Sequence, residues 1–488
     1  MDKVTFSPIP CGETIPRDNP HAISVSMPSL QDVIDYEEGT TEIAKKIKSA
    51  YPRFVRHPYL ILLADYIKQK YEVSRSFDVV ILSSQRAAEK ACMEKGINTA
   101  LKVCESFGVV MVKKNTKQLE DILSFIQLTG SVLSSRAAQD YLFKVGVLTA
   151  IYKEKAEGSE LAEQIVKNTI ADAYKQSYLN VGLAPSGMNA VYAVLEGIQR
   201  EQKSQGRDIL VQLGWLYSDT MTVVDKCSKR AKKILNVERL EELEGFLSEN
   251  GREVSAIITE IPTNPQLRCV DLKHLRKLCD NYQIPLIVDT TIATPYLVDF
   301  IPYADVMIES LSKFASGNAD VLMGAVVINE KLSDRHMRET IFKNLEPVYH
   351  GDLQRMAIEV REYKGRVHKV SANAEALVAY FKRCSYVDKV FYHHFDGCYV
   401  GLVSVTFSTD FRSIYDELNL PKGPSLGTEF TLAMPYTYLA HYDYVNKPLG
   451  KEILSQIDLP VDLLRISVGI EPIQDIIDEF KRAAFCSQ

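Results

Sequence analysis

Between residues 180 and about 345 the chain repeats short, uninterrupted apolar runs separated by helix-length stretches. The runs are Ile209-Leu-Val-Gln, Ser255-Ala-Ile-Ile-Thr, Pro285-Leu-Ile-Val, Asp305-Val-Met-Ile and Gly324-Ala-Val-Val-Ile. A strand with one face in water alternates apolar and polar residues. Continuous runs instead suit strands covered on both faces, as in a mostly parallel α/β sheet with helices packed on either side. The segment Leu272-Lys-His-Leu-Arg-Lys-Leu-Cys fits between two runs as a crossover helix. Ligands of such sheets bind beyond the carboxyl ends of the strands, so functional residues are expected there.

The flanks read differently. Residues 1–55 are rich in proline and polar residues and show no long helical period. They predict an extended arm packed on another surface. Residues 56–180 mix helical stretches at 58–68 and 117–126 with strand-like runs at 77–82 and 107–112, an α/β insertion or N-terminal extension. Residues 181–345 carry the sheet. Residues 346–488 open with a helical stretch over 361–381 and end in a helix over 471–484, a smaller C-terminal α+β domain. At 488 residues, two or three domains are expected from about 100–200 residues per domain.

Asp289 closes the run at 285–288, and Lys313 follows it by 313 − 289 = 24 residues. A carboxylate at a strand end and a lysine in the next loop suit pyridoxal phosphate (PLP), which needs a lysine for its Schiff base and an acid to keep its ring nitrogen protonated. Ser310 and Ser312 place hydroxyls beside Lys313, where the phosphate would be held. Ser186-Gly187-Met188 precedes an apolar helix. Such a helix start offers free N–H groups and a favourable dipole end to a phosphate, unless the serine is a plain N-cap. Asn264, between two prolines, is placed to donate an amide hydrogen bond or to make an ordinary turn. Arg465 interrupts an apolar strand and so requires an anion, either a substrate carboxylate held in a bidentate fork or a structural salt-bridge partner.

Composition removes several function classes. The formal charge, 57 − 63 = −6, comes without basic blocks, so neither nucleic acid nor anionic lipid is an expected partner. Nine scattered cysteines without a C-x-x-C pair argue against a disulfide framework and a structural zinc site. His57, His393, His394 and His441 show no metal spacing, and no metal is expected. The first eight residues lack a signal-peptide pattern, and the longest apolar runs, such as 321–328, fall far short of the ~18 residues of a membrane span. A soluble cytoplasmic protein is the expectation.

Read together, Glu260-Ile-Pro-Thr-Asn264-Pro, Val288-Asp-Thr-Thr-Ile-Ala-Thr-Pro-Tyr296, Ser310-Leu-Ser-Lys313, Val321-Leu-Met-Gly-Ala-Val-Val327 and Leu464-Arg-Ile-Ser-Val-Gly-Ile-Glu471 resemble the Cys/Met-metabolism PLP enzymes. Asn19-Pro-His-Ala-Ile-Ser-Val-Ser-Met-Pro28, Tyr36-Glu-Glu-Gly39, Tyr51-Pro-Arg-Phe54 and Gly423-Pro-Ser-Leu-Gly427 are more similar still to fungal-type cystathionine γ-synthase. The resemblance implies a PLP-dependent transferase of fold type I, aspartate aminotransferase-like, working as a homodimer or homotetramer. It implies Lys313 and Tyr217 as catalytic residues. The cofactor would be held by Ser186, Gly187, Met188, Asn264, Asp289, Thr291, Ser310 and Ser312, together with Tyr51 and Arg53 reaching into the neighbouring subunit's site. Arg465, Ser425 and Leu426 would hold substrate. Two departures stand out. Ser218-Asp219 replaces the two glycines usual after the tyrosine, and about a hundred extra residues separate Arg53 from Ser186.

The implied reaction is γ-replacement on an O-acyl-L-homoserine. Two deprotonations, at Cα and Cβ, expel the Cγ acyloxy group to a vinylglycine-type intermediate that a nucleophile co-substrate attacks. Pro424 before Ser425, where bacterial-type synthases carry glutamate, favours O-acetyl-L-homoserine. Cysteine as nucleophile would make a cystathionine γ-synthase. A carbon or other nucleophile in a specialised γ-substitution, or a γ-lyase, is the alternative. A non-catalytic scaffold on the same fold is the reading of a different class.

Overall fold

The computed structural model describes residues 5–47, 51–97, 103–158, 160–331 and 335–486. Two strands, β1 (Phe77–Leu82) and β2 (Gly108–Lys113), pair antiparallel over six residues in the inserted region. Helices Pro58–Lys70, Gln85–Lys95, Lys117–Thr129 and Ser135–Lys144 surround them and close a separate apolar core with Leu63, Ile67, Phe107 and Leu142. The next helix, Ala162–Ala173, packs Val166 and Ile170 into the main core instead.

The central sheet comprises β3 (Val181–Ala184), β4 (Ile209–Leu213), β5 (Lys232–Ile234), β6 (Val254–Glu260), β7 (Leu286–Asp289), β8 (Val306–Glu309) and β9 (Gly324–Ile328), in the order β3-β9-β8-β7-β6-β4-β5. β9 runs antiparallel to both its neighbours, and the contacts among β8, β7, β6, β4 and β5 are parallel. The continuous apolar runs have the expected cause. Leu210, Ile258, Ile287 and Ile308 meet helix Gly187–Lys203 on one face, while Val211, Ile257, Val288 and Met307 meet Ile170, Leu243 and Leu275 on the other. Side chains one apart point to opposite faces, so both sets must be apolar.

The C-terminal domain holds an antiparallel sheet of β10 (Val387–Phe391), β11 (Leu402–Phe407), β12 (Leu432–Pro435) and β13 (Leu464–Ser467), ordered β10-β11-β13-β12. Helix Tyr363–Phe381 supports it and faces the last helix, Ile473–Cys486, through Phe381 and Phe480.

The arm is less extended than its composition suggests. Ser29 caps a helix, Leu30–Glu37, and shares a reciprocal capping box with Asp32, a local arrangement that satisfies two helix-end donors. Leu30 and Val33 bury into the main core, Met27 N donates to Lys422 O, and Tyr415 Oη donates to Met27 O. The surface it covers is this chain's own C-terminal domain. Residues 1–4 and 48–50 of the predicted arm lie outside the described residues. Among the described residues no helix is long and apolar enough to cross a membrane, and no His, Cys, Asp and Glu cluster could hold a metal.

Candidate active site

Strand ends gather the chemistry at one edge. Tyr217 lies just past β4, Glu260 and Asp289 end β6 and β7, and Ser310 and Lys313 follow β8. With Gly187 at a helix start and Ser425, Met434 and Arg465 from the C-terminal domain, they line a cavity of about 470 Å³.

Lys313 is half-buried there. Its Nζ donates to Ser425 Oγ at 2.9 Å and lies 4.8 Å from the centre of the Tyr51 ring. Burial, reinforced by the charges of Arg465 and Arg53, lowers its pKa to about 7, because an ammonium taken from water with no counter-ion prefers to lose its proton. Ser425 also ties the lysine to Arg465, whose NH2 donates to Ser425 O at 2.5 Å. Arg465 sits opposite Met434 across β13 and β12. It also donates to Met434 Sδ at 3.1 Å and Asn264 Oδ1 at 3.5 Å, and lies over the Tyr436 ring at 5.4 Å. Among the described residues no carboxylate pairs with it, so the structural salt bridge considered from sequence is not what holds it. Burial lowers its pKa to about 10.

Half-buried Asp289 and buried Glu260 form an acidic pair at neighbouring strand ends. Burial raises the pKa of both, and the Asp289 charge raises that of Glu260 further. Glu260 Oε1 accepts from Tyr217 N at 2.6 Å, and Asp289 Oδ1 accepts from Thr291 N at 2.9 Å. Thr291 Oγ1 in turn accepts from Ser310 N at 2.9 Å, so one threonine orients the acid and the loop that leads to Lys313.

Gly187, Met188, Asn264, Thr291, Ser310, Tyr217 and Leu426 all line the cavity, as do Tyr51 and Arg53. Ser186 and Ser312 do not. Ser186 is the N-cap of helix Gly187–Lys203, its Oγ accepting from Asn189 N and donating to Gly130 O, both at 3.1 Å. Ser312 Oγ accepts from Met323 N and donates to Met323 O, bracing the loop to the start of β9. Both hydroxyls bond to backbone in this structure. Tyr51 and Arg53 line the cavity of the chain that carries them. Arg53 NH2 donates to Tyr217 Oη at 2.8 Å and NH1 to Asp219 Oδ2 at 2.5 Å.

Gln127, Asp219, Glu37 and Tyr436 also line the cavity. Of these, Asp219 had a sequence signal as a departure from two glycines, and Glu37 lies within the run Tyr36-Glu-Glu-Gly39. The others come from elements whose approach to the site no local pattern records. Burial, with the nearby Asp443 charge, raises the pKa of Glu37 to about 7.

The cavity holds a complementary set of unmatched groups. Arg465 Nε and Arg53 Nε are buried without a hydrogen-bond partner, and Lys313 and Asp289 lack opposite charges within bonding distance among the described residues. Buried polar groups demand partners, and PLP with an amino acid offers them: a phosphate, a carboxylate, an aldehyde carbon and a ring nitrogen. The residues fit that cofactor.

Comparison with known proteins agrees. Residues 159–399 match the family model described as Cys/Met metabolism PLP-dependent enzyme. The chain is 36% identical over 482 residues to an L-2-amino-4-chloropent-4-enoate dechlorinase/desaturase of Streptantibioticus cattleyicolor, covering 95% of this chain and 96% of that protein. It is 25% identical to the cystathionine gamma-synthase of Neurospora crassa, with 98% of each covered. Among solved structures, cystathionine gamma synthase from Xanthomonas oryzae in complex with cystathionine superposes with a TM-score of 0.58 at 19% identity, over 67% of this chain and 86% of that one. A Campylobacter jejuni structure carrying N'-pyridoxyl-lysine-5'-monophosphate gives 0.58 at 20%, over 71% and 91%. The architecture is fold type I.

Proposed function

The chain belongs to the Cys/Met-metabolism PLP-dependent enzymes, and from that premise we propose that it expels a leaving group from the γ-carbon of an L-α-amino acid. One observation carries this reading: Ser425 bridges a half-buried lysine with a lowered pKa and a buried arginine that pairs with no carboxylate among the described residues. A substrate whose α-carboxylate forks onto Arg465 then presents its Cα to Lys313. PLP, when bound, supplies the electron-accepting ring. Lys313 would take the proton from Cα, pass it to the acceptor that PLP supplies and, neutral again, take one from Cβ, and the Cγ substituent would leave with its bonding pair. Asp289 would hold the ring nitrogen, and Gly187, Ser310 and Arg53 the phosphate. Tyr217 keeps its proton because burial raises its pKa, so its hydroxyl remains a donor.

Pro424, Leu426, Met434 and Leu439 give the cavity apolar lining, which suits an uncharged Cγ substituent. O-acetyl-L-homoserine followed by nucleophile addition at Cγ is the first reading. The 36% identical relative, named for a chlorinated five-carbon amino acid, supports a second, in which chloride leaves and no nucleophile adds. Mass spectrometry of products from each donor, with and without L-cysteine, separates them. A mass corresponding to cystathionine supports the first, and chloride release without an adduct supports the second. Consumption of neither donor would reject both.

The pKa of Lys313 makes a pH test. Covalent uptake of PLP needs the neutral amine, so the rate of appearance of the visible band should rise about fivefold from pH 6 to 7 and less than about twofold from 7 to 8. A rate still climbing steeply toward pH 10 would show an ordinary lysine. Asp289→Asn should keep the coloured, lysine-bound cofactor while turnover drops. Turnover equal to the parent would remove Asp289 from the chemistry.

A further inference from the structure

Three parts of one chain meet at Arg53. Its NH1 donates to Gln127 O at 2.7 Å and to Asp219 Oδ2 at 2.5 Å, and Gln127 Nε2 donates to Asp219 Oδ1 at 2.9 Å. The Arg53 and Asp219 side chains are 2% and 6% exposed. Asp219 makes burial of the guanidinium tolerable, while Gln127 occupies the second carboxylate oxygen. Arg53 Nε is left buried and unpartnered, in a side chain that lines the cavity with Gly187 and Ser310.

Gln127 lies in the last turn of the inserted helix Lys117–Thr129, whose end is seated on the start of helix Gly187–Lys203. Asn189 Nδ2 donates to Thr129 O at 2.9 Å, and Ser186 Oγ to Gly130 O. Gly130 has φ +65°, and a Cβ there would fall 2.2 Å from Ser186 Oγ and 2.4 Å from Asn189 N. Only glycine permits this approach. The insertion is thus fixed against the helix start that faces the cavity.

We infer that Asp219 and Gln127 are positioning residues that hold Arg53 in the cavity of its own chain, so that the arm, insertion and sheet of one polypeptide complete the phosphate end of the site. The inference rests on the proposed role of Arg53 as a phosphate contact. It gives the Ser218-Asp219 departure a purpose, since a glycine at 219 could not anchor the guanidinium.

PLP affinity, measured by titration of the apo-protein, tests the positioning. Arg53→Ala should weaken binding about tenfold or more through loss of a charge-assisted contact, and parent affinity there would reject the phosphate role itself. Asp219→Ala should weaken binding about threefold or more, with Asp219→Asn, which keeps an acceptor oxygen, close to the parent. Unchanged affinity in Asp219→Ala, or the tighter binding expected from merely removing a negative charge beside a phosphate, would overturn the positioning role. Co-expression of differently tagged Arg53→Ala and Lys313→Ala chains tests the own-chain assembly, at a PLP concentration that leaves Arg53→Ala alone empty. Tandem-purified heteromers lacking both the visible band and activity would uphold it, as would an active parent that forms no heteromers because it is monomeric. A band and activity near half the parent's would overturn it.

Discussion

Lys313→Ala is expected to lower turnover by at least about 10²–10⁴-fold, the usual loss when a positioned acid–base group is removed. Loss of the covalent cofactor attachment adds to that. The fold should survive, and the reason lies in the amine's surroundings. Among the described residues its one hydrogen bond is to a hydroxyl, Ser425 Oγ, and the charges acting on it, Arg465 and Arg53, are repulsive. Deleting it leaves no carboxylate stranded and relieves like-charge crowding, so thermal unfolding of the apo-protein should not move downward. Steady-state turnover and a melting curve on the same preparation provide the check. Activity above about one percent of the parent would remove Lys313 from the mechanism. An unfolded variant would mean that the lysine's place is structural.

Features written in short range were legible in the sequence. The apolar runs announced the sheet because a strand buried on both faces has no alternative pattern, and Asp289 and Lys313 stood where chain direction puts strand ends. Val181–Ala184, interrupted by Gly182, and the three-residue Lys232–Ile234 were not named. Hydroxyl direction was equally hidden. Ser310 and Ser312 have the same local chemistry, yet one faces the cavity and the other braces Met323. The Arg53 cluster was out of reach for another reason: its partners are 74 and 166 residues away, so no spacing rule links them. The family resemblance assigned Arg53 to another subunit, and its place beside Gln127 shows only in the fold.

Arg465→Ala is expected to raise KM for the amino acid and lower kcat/KM by about 10–150-fold, from the loss of a charge-assisted fork worth roughly 1.5–3 kcal/mol. PLP content should stay at the parent level, since the cofactor contacts proposed above come from other residues. Stability distinguishes this arginine from an ordinary buried one. Removing one member of a buried ion pair is strongly destabilising because the partner is left uncompensated. Arg465 has no such partner among the described residues, and its main hydrogen bonds go to a carbonyl, Ser425 O, and a thioether, Met434 Sδ. Its own burial is the unfavourable term, as the lowered pKa records, so truncation should leave melting unchanged or raise it. A fold that survives with substrate affinity lost is the signature of a guanidinium kept for a ligand. Unchanged KM, or a protein that fails to fold, would show that Arg465 serves the sheet.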